Sequence, residues 1–326
     1  MSSFYFSIIL FFAFLKIFSS QASEKVKPVI GIYGNSYPEN DDEDYINGTY
    51  YPISYVYWLE SVGAEVMAIQ YWYPNDVIEE ILNKVNGVLF LGGSRNIHKN
   101  GTWEIKAKYI MEYSLVNQLP IWGTCQGFQL LGILMSNNYT LLRYGFDDNN
   151  VLHGIELTNY AKTSKIYHLF NEEDLNILQY GNSTIYNHRE GFFLEDFYRE
   201  KRLNELFIVT GISEDKNGLK FINSFEGKND SIKIFATQFH PEKNPYKRNN
   251  YILEQNIDSL KVSQLLVMSF YEEVKKNKNK FDSSSNKKGD RAQFDFFDTK
   301  IGMPNCNFDR NSETCYYYKR KEYSIE

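Results

Sequence analysis

The stretch Ile121-Trp122-Gly123-Thr124-Cys125-Gln126-Gly127-Phe128-Gln129 decides the architecture. An apolar run with strand character meets an apolar run with helical character, and the join is a turn with glycines on either side of a cysteine. Such an elbow lifts one side chain above a sheet edge and belongs to α/β folds. The same alternation repeats outward from it. Residues 28–33, 65–69, 87–91, 120–123 and 233–239 are short apolar runs that read as buried strands. Residues 54–62, 76–83 with Asp76 as N-cap, 104–117 and 262–274 read as helices between them. From 155 to 225 strand signals mix with loops and suit antiparallel additions to the sheet. The expected fold class is α/β, a mostly parallel central sheet flanked by helices on both faces.

The chain has 326 residues, enough for one large or two modest domains. Hydrophobic residues at 43% and charged residues at 23% exclude wholesale disorder. A net charge of -6 excludes the basic surplus of a nucleic-acid binder. Three cysteines are too few for a disulfide scaffold. His98, His153 and His168 have no ligand-spaced partners and no Cys-x-x-Cys occurs, so no metal or cofactor is expected. Beyond residue 275 the polar run through Lys280 and Ser283-Ser284-Ser285 reads as a solvated linker. The tail behind it turns aromatic again and carries Cys306 and Cys315.

Residues 1–22 read as a signal peptide, an apolar run from Phe4 to Leu15 followed by Ser20-x-Ala22. At about 12 residues the run is short for a bilayer span, which needs roughly 20, so no stable membrane insertion is expected after cleavage. Asn-x-Ser/Thr acceptors at Asn47, Asn100, Asn138, Asn182 and Asn229 agree with passage through the secretory pathway. Its end point, extracellular space or a lysosome or vacuole, stays open. In an oxidising lumen Cys306 and Cys315 are close enough in sequence to pair, which leaves Cys125 as the odd thiol.

Cys125 opens a helix, where backbone N–H groups and the helix dipole favour a thiolate. A buried structural cysteine is the competing reading. Gln238-Phe239-His240-Pro241-Glu242 ends a strand on an imidazole, with a carboxylate two residues on that can orient it as the third member of a triad does. Gly92-Gly93-Ser94 follows a buried strand and precedes a helix. There the N–H of Gly93 can join that of Gln126 as an oxyanion hole, although an ordinary βα turn explains the glycines equally well.

Together these segments resemble the class I glutamine amidotransferase-like superfamily, and within it the gamma-glutamyl hydrolase family. The likeness covers most of residues 27–275. It rests on Pro28-Val29-Ile30-Gly31-Ile32, Leu91-Gly92-Gly93-Ser94, Trp122-Gly123-Thr124-Cys125-x-Gly127-Phe128 and Asn187-His188. It continues through 221–227 and His240-Pro241-Glu242-Lys243-Asn244-Pro245-Tyr246. The resemblance implies a flavodoxin-like sandwich, a catalytic domain over 27–275 and a tail over 276–326. It implies Cys125 as nucleophile, His240 as base, Glu242 as its orienter and His188 as an active-site residue. One departure stands out: the family pattern has an acidic residue four positions after the nucleophile, and this chain has Gln129.

The implied reaction is cofactor-free hydrolysis of γ-glutamyl amides, folyl-poly-γ-glutamates above all, through a thioester on Cys125. Gln129 and Arg95 are then substrate-binding candidates, with Arg189 and Lys243 as further cations for the substrate carboxylates. The implied partner is this small molecule, and a homodimer stays open. Two alternatives stand beside it: an amidohydrolase of glutamine or other γ-glutamyl compounds, and a secreted binding protein on a degenerate hydrolase fold.

Overall fold

The computed structural model describes residues 27–37, 48–245, 256–281, 302–306 and 313–319. The leader and Asn47 lie outside them. Strands β1 (Val29–Tyr33), β4 (Glu65–Ile69), β5 (Gly87–Phe90), β6 (Ile121–Thr124) and β12 (Ile234–Thr237) run parallel, in the spatial order β4-β1-β5-β6-β12. The antiparallel strands β11 (Lys220–Gly227), β10 (Phe207–Glu214) and β8 (Glu156–Leu157) extend the sheet beyond β12, as the mixed signals after residue 155 suggest.

Both faces of the parallel strands are buried because alternate side chains point to opposite sides. Ile30, Ile32, Leu89, Trp122 and Phe235 enter one core, while Val29, Tyr33, Val88, Phe90, Ile121 and Ile234 enter the other. Helices α1 (Ile53–Glu60) and α8 (Ile257–Val274) cover the first face. Helices α2 (Asn75–Leu82), α3 (Thr102–Asn117) and α4 (Gln126–Ser136) cover the second. Trp122 packs between Trp58 of α1 and Phe270 of α8, each 5.7 Å away between ring centroids. The short helices α5 (Glu172–Tyr180), α6 (Leu194–Arg199) and α7 (Lys201–Leu206) serve the second half.

Two smaller sheets flank this body. The strands β7 (Arg143–His153) and β9 (Thr184–Gly191) form an antiparallel ribbon with two register shifts. A second sheet has the order β13-β14-β3-β2, with β2 (Asn35–Tyr37), β3 (Gly48–Pro52), β13 (Gly302–Cys306) and β14 (Glu313–Lys319).

Several sequence expectations are corrected. Asp76 is not an N-cap: α2 starts at Asn75 behind Pro74, and Asp76 accepts the Val77 N–H inside the first turn. Helix α8 starts at Ile257 rather than 262, because a capping box between Asn256 and Ser259 carries its first turn without apolar support. In the polar linker Lys275, Lys276, Lys278 and Lys280 are exposed as expected, but Asn279 and Phe281 dock onto the body. The Asn279 amide donates to the carbonyls of Leu82, the last residue of α2, and of Val85 just beyond it, and Phe281 is buried. Beyond it, β14 pairs with β3, so this part of the tail joins a sheet. Gly92-Gly93-Ser94 leads not directly into a helix but into a loop that runs to Gly101.

Candidate active site

The parallel pairing of β6 with β12 sets Thr124 opposite Thr237. The residues that follow these two strands therefore emerge side by side at the carboxyl edge of the sheet, where α/β folds build their sites. Cys125 donates its N–H to Thr237 O (2.8 Å) and adopts φ 51° and ψ -106°, then α4 begins at once. A non-glycine residue in that region stores about 1–3 kcal/mol of strain. The turn is this tight because Gly127 lies against β5: a Cβ there would stand 2.1 Å from Phe90 O.

His240 follows β12 and hands its N–H to Ile185 O of β9 (2.9 Å). Its Nδ1 lies 2.8 Å from Glu242 Oε1. Glu242 is fully buried; burial alone would raise its carboxyl, but the charge and hydrogen bond of His240 outweigh that and hold it below the usual value. Nδ1 is thus the ring nitrogen that Glu242 orients. Cys125 and His240 converge on Gly92. A Cβ placed there would stand 2.8 Å from His240 Cε1 and 3.2 Å from Cys125 Cβ.

Three residues not singled out in the sequence complete this corner. Tyr55 of α1 accepts the Gly92 N–H (2.9 Å), and its hydroxyl lies 3.3 Å from His240 Nδ1. Asn35 of β2 donates to Gly92 O (2.9 Å). Gln238 donates from Nε2 to Cys125 Sγ (3.7 Å). Since Gly92 N–H is engaged by Tyr55, the Gly93 N–H is the candidate donor from this turn. Gln126 supplies the other, at the first position of α4 where N–H groups lack intrahelical partners. The Gln126 side chain also joins the two segments, donating to Arg95 O while its Oε1 accepts the Arg95 N–H (3.4 Å).

The other sequence candidates lie at differing distances from this centre. Gln129 is buried one turn along α4 and donates to Gln238 Oε1. Arg95 is buried, with Nη1 2.5 Å from Ser36 Oγ and its guanidinium 5.9 Å from the Trp103 ring. Its charge is thus turned into the protein. Lys243 is buried beside Glu242, while Arg189 is exposed on β9.

His188 is buried in the β7–β9 ribbon. Its Nδ1 meets Glu190 O (2.9 Å) and its Nε2 lies 3.4 Å from Asp148 Oδ2. His153 reaches the same carboxylate from the other side (3.0 Å) and stacks on Tyr186. Burial would raise the Asp148 carboxyl, but the two imidazoles outweigh it and hold the group below its ordinary value. A bulge-shifted register creates this His–Asp–His cluster, and no local spacing announces it.

Cys125 forms no disulfide, and Cys315 is disulfide-bonded. The Cys306 side chain falls outside the described residues. Among the described residues no group of three His, Cys, Asp or Glu side chains is placed to hold a metal, and no helix is long and apolar enough to cross a membrane.

The glutamine amidotransferase class-I family model matches residues 50–260, and the chain belongs to that family. Its curated relatives carry a more particular name. Gamma-glutamyl hydrolase B of Dictyostelium discoideum is 29% identical over 78% of this chain and 74% of its own. The gamma-glutamyl hydrolase of Homo sapiens is 28% identical over 79% of this chain and 81% of its own. Among solved structures, the glutaminase domain of Trypanosoma brucei CTPS with bound acivicin superposes with a TM-score of 0.50. It covers 77% of this chain and 95% of that domain at 16% identity, a likeness of fold.

Proposed function

We propose that this protein hydrolyses γ-glutamyl amide bonds, with folyl-poly-γ-glutamates as substrate and Cys125 as nucleophile. The observation that carries the reading is the meeting of Cys125, on its strained elbow, with the His240–Glu242 pair at Gly92. The Cys125 thiolate attacks the γ-carbonyl, and the Gly93 and Gln126 N–H groups receive the oxyanion. His240 gives a proton to the leaving amine nitrogen as the thioester forms, then takes one from the water that hydrolyses it. Glu242 holds the imidazole in place throughout and stabilises it whenever it carries the proton. The names of the curated relatives support the γ-glutamyl bond as the one cleaved.

The same reading places the protein in the secretory pathway. It is supported by residues 1–22, by the acceptor asparagines and by a disulfide at Cys315, whose partner we take to be Cys306.

The test incubates protein lacking residues 1–22 with folyl-poly-γ-glutamate, and in parallel with glutamine, and follows products by chromatography. Shortened folates from the parent and none from Cys125→Ala are expected. Glutamate from glutamine alone would favour the amidohydrolase alternative, and no turnover by a folded parent would overturn both.

A further inference from the structure

Two side-chain amides stand between the backbone of β9 and the Cys125 sulfur, and each is held in one orientation. Gln129 Nε2 donates to the backbone carbonyl of Glu190 (2.8 Å) and to Gln238 Oε1 (3.2 Å). A carbonyl only accepts, so Glu190 dictates which end of the Gln129 amide faces it. The other hydrogen of that nitrogen then occupies Gln238 Oε1. This turns Gln238 Nε2 towards Cys125 Sγ, 3.7 Å away. Both glutamines are buried, and both backbones are pinned: Gln129 N–H to Cys125 O (3.0 Å) and Gln238 N–H to Asn223 O (2.7 Å).

We propose that Gln129 is a positioning residue for Cys125, acting through Gln238 to keep an N–H rather than a carbonyl oxygen against the sulfur. An N–H stabilises a thiolate, whereas an amide oxygen at the same place repels it. An ionised carboxylate at 129 would face the Glu190 carbonyl without a proton to share. It would accept from Gln238 and turn the oxygen of that amide to the sulfur. The inference deepens the proposed function, since it rests on Cys125 as the nucleophile.

The test is the pH dependence of Cys125 alkylation by iodoacetamide, read by mass spectrometry on the full chain with its disulfide intact. The parent, Gln129→Glu, Gln238→Leu and the double variant are compared, with near-ultraviolet circular dichroism confirming the fold. Gln129→Glu and Gln238→Leu should each raise the midpoint by about one pH unit, the scale of one hydrogen bond lost to a charged group. The double variant should rise no further than Gln238→Leu, because the two residues act in series. An unchanged midpoint in folded Gln129→Glu, or a full additional shift in the Gln238→Leu background, would overturn the relay. If Gln129→Glu does not fold, Gln129→Met replaces it, and an unchanged midpoint there would overturn the relay equally. Alkylation needs no substrate, so turnover retained by Cys125→Ala would sink the nucleophile reading while the midpoints still judge the relay.

Discussion

Gly92 has no room for a side chain. A methyl group there would press on the Tyr55 hydroxyl and His240 Cε1, each 2.8 Å away, and would crowd the Cys125 Cβ. Gly92→Ala is therefore expected to keep its fold and lose roughly 100-fold in kcat/KM, since ångström-scale misplacement of reacting groups costs about that much. Steady-state kinetics with a melting curve on the same sample decide it, and full activity would refute the crowding. Glu242→Gln tests the other side of the imidazole. It keeps the size but not the charge, and kcat is expected to fall by roughly 10²- to 10⁴-fold. Cys125, His240 and Glu242 were legible because each motif is local: a strand end, a turn residue and a carboxylate two positions on. Tyr55 and Asn35 were not, because they reach Gly92 from α1 and β2, and nothing near them in sequence records that contact.

At the scale of elements, the β7–β9 ribbon depends on Asp148. Asp148→Asn removes the charge shared by His153 and His188, and a loss of about 1–3 kcal/mol is expected from the buried partners left unsatisfied. The sign with pH follows from a carboxyl held below its ordinary value. Its stabilising contribution is complete above the usual carboxylate range and disappears as pH falls through the lowered value. Denaturant melts of parent and variant should converge towards strongly acidic pH, and a constant gap would contradict this. Helix α8 provides a plainer case. Phe270 is buried against Trp122 and Phe235, and Phe270→Ala is expected to cost about 3–5 kcal/mol. The alternation of β1, β4, β5, β6 and β12 with helices was readable because both faces of each strand are covered, which makes short apolar runs. The tail strands were not, since β14 pairs with a strand near the other end of the chain.

For the molecule as a whole, buried carboxyls pull stability in opposite directions. Asp148 and Glu242 are lowered by their imidazoles, whereas burial raises Glu104 and Glu226. A raised carboxyl contributes stability that is complete below its unfolded value and is lost as pH climbs through its folded one. Glu104→Gln keeps an oxygen for the His98 N–H, which Glu104 Oε1 now accepts at 2.7 Å. The variant should melt higher than the parent at pH 7, with the difference shrinking towards pH 4. Equal melting temperatures at both values would show that Glu104 carries no such penalty.

The pairing of β14 with β3 has a consequence in time. Every strand of the parallel sheet precedes residue 238, so the elbow and its histidine can assemble while the rest of the chain is still emerging from the ribosome. The small sheet cannot: β3, which leads straight into the helix that carries Tyr55, waits for the last described strand. Until then one edge of β3 offers its hydrogen bonds to any passing strand, a period of exposure that non-local pairing imposes on a nascent chain. Synthesis thus delivers the Cys125 elbow early and the strand that closes beside the Tyr55 helix late.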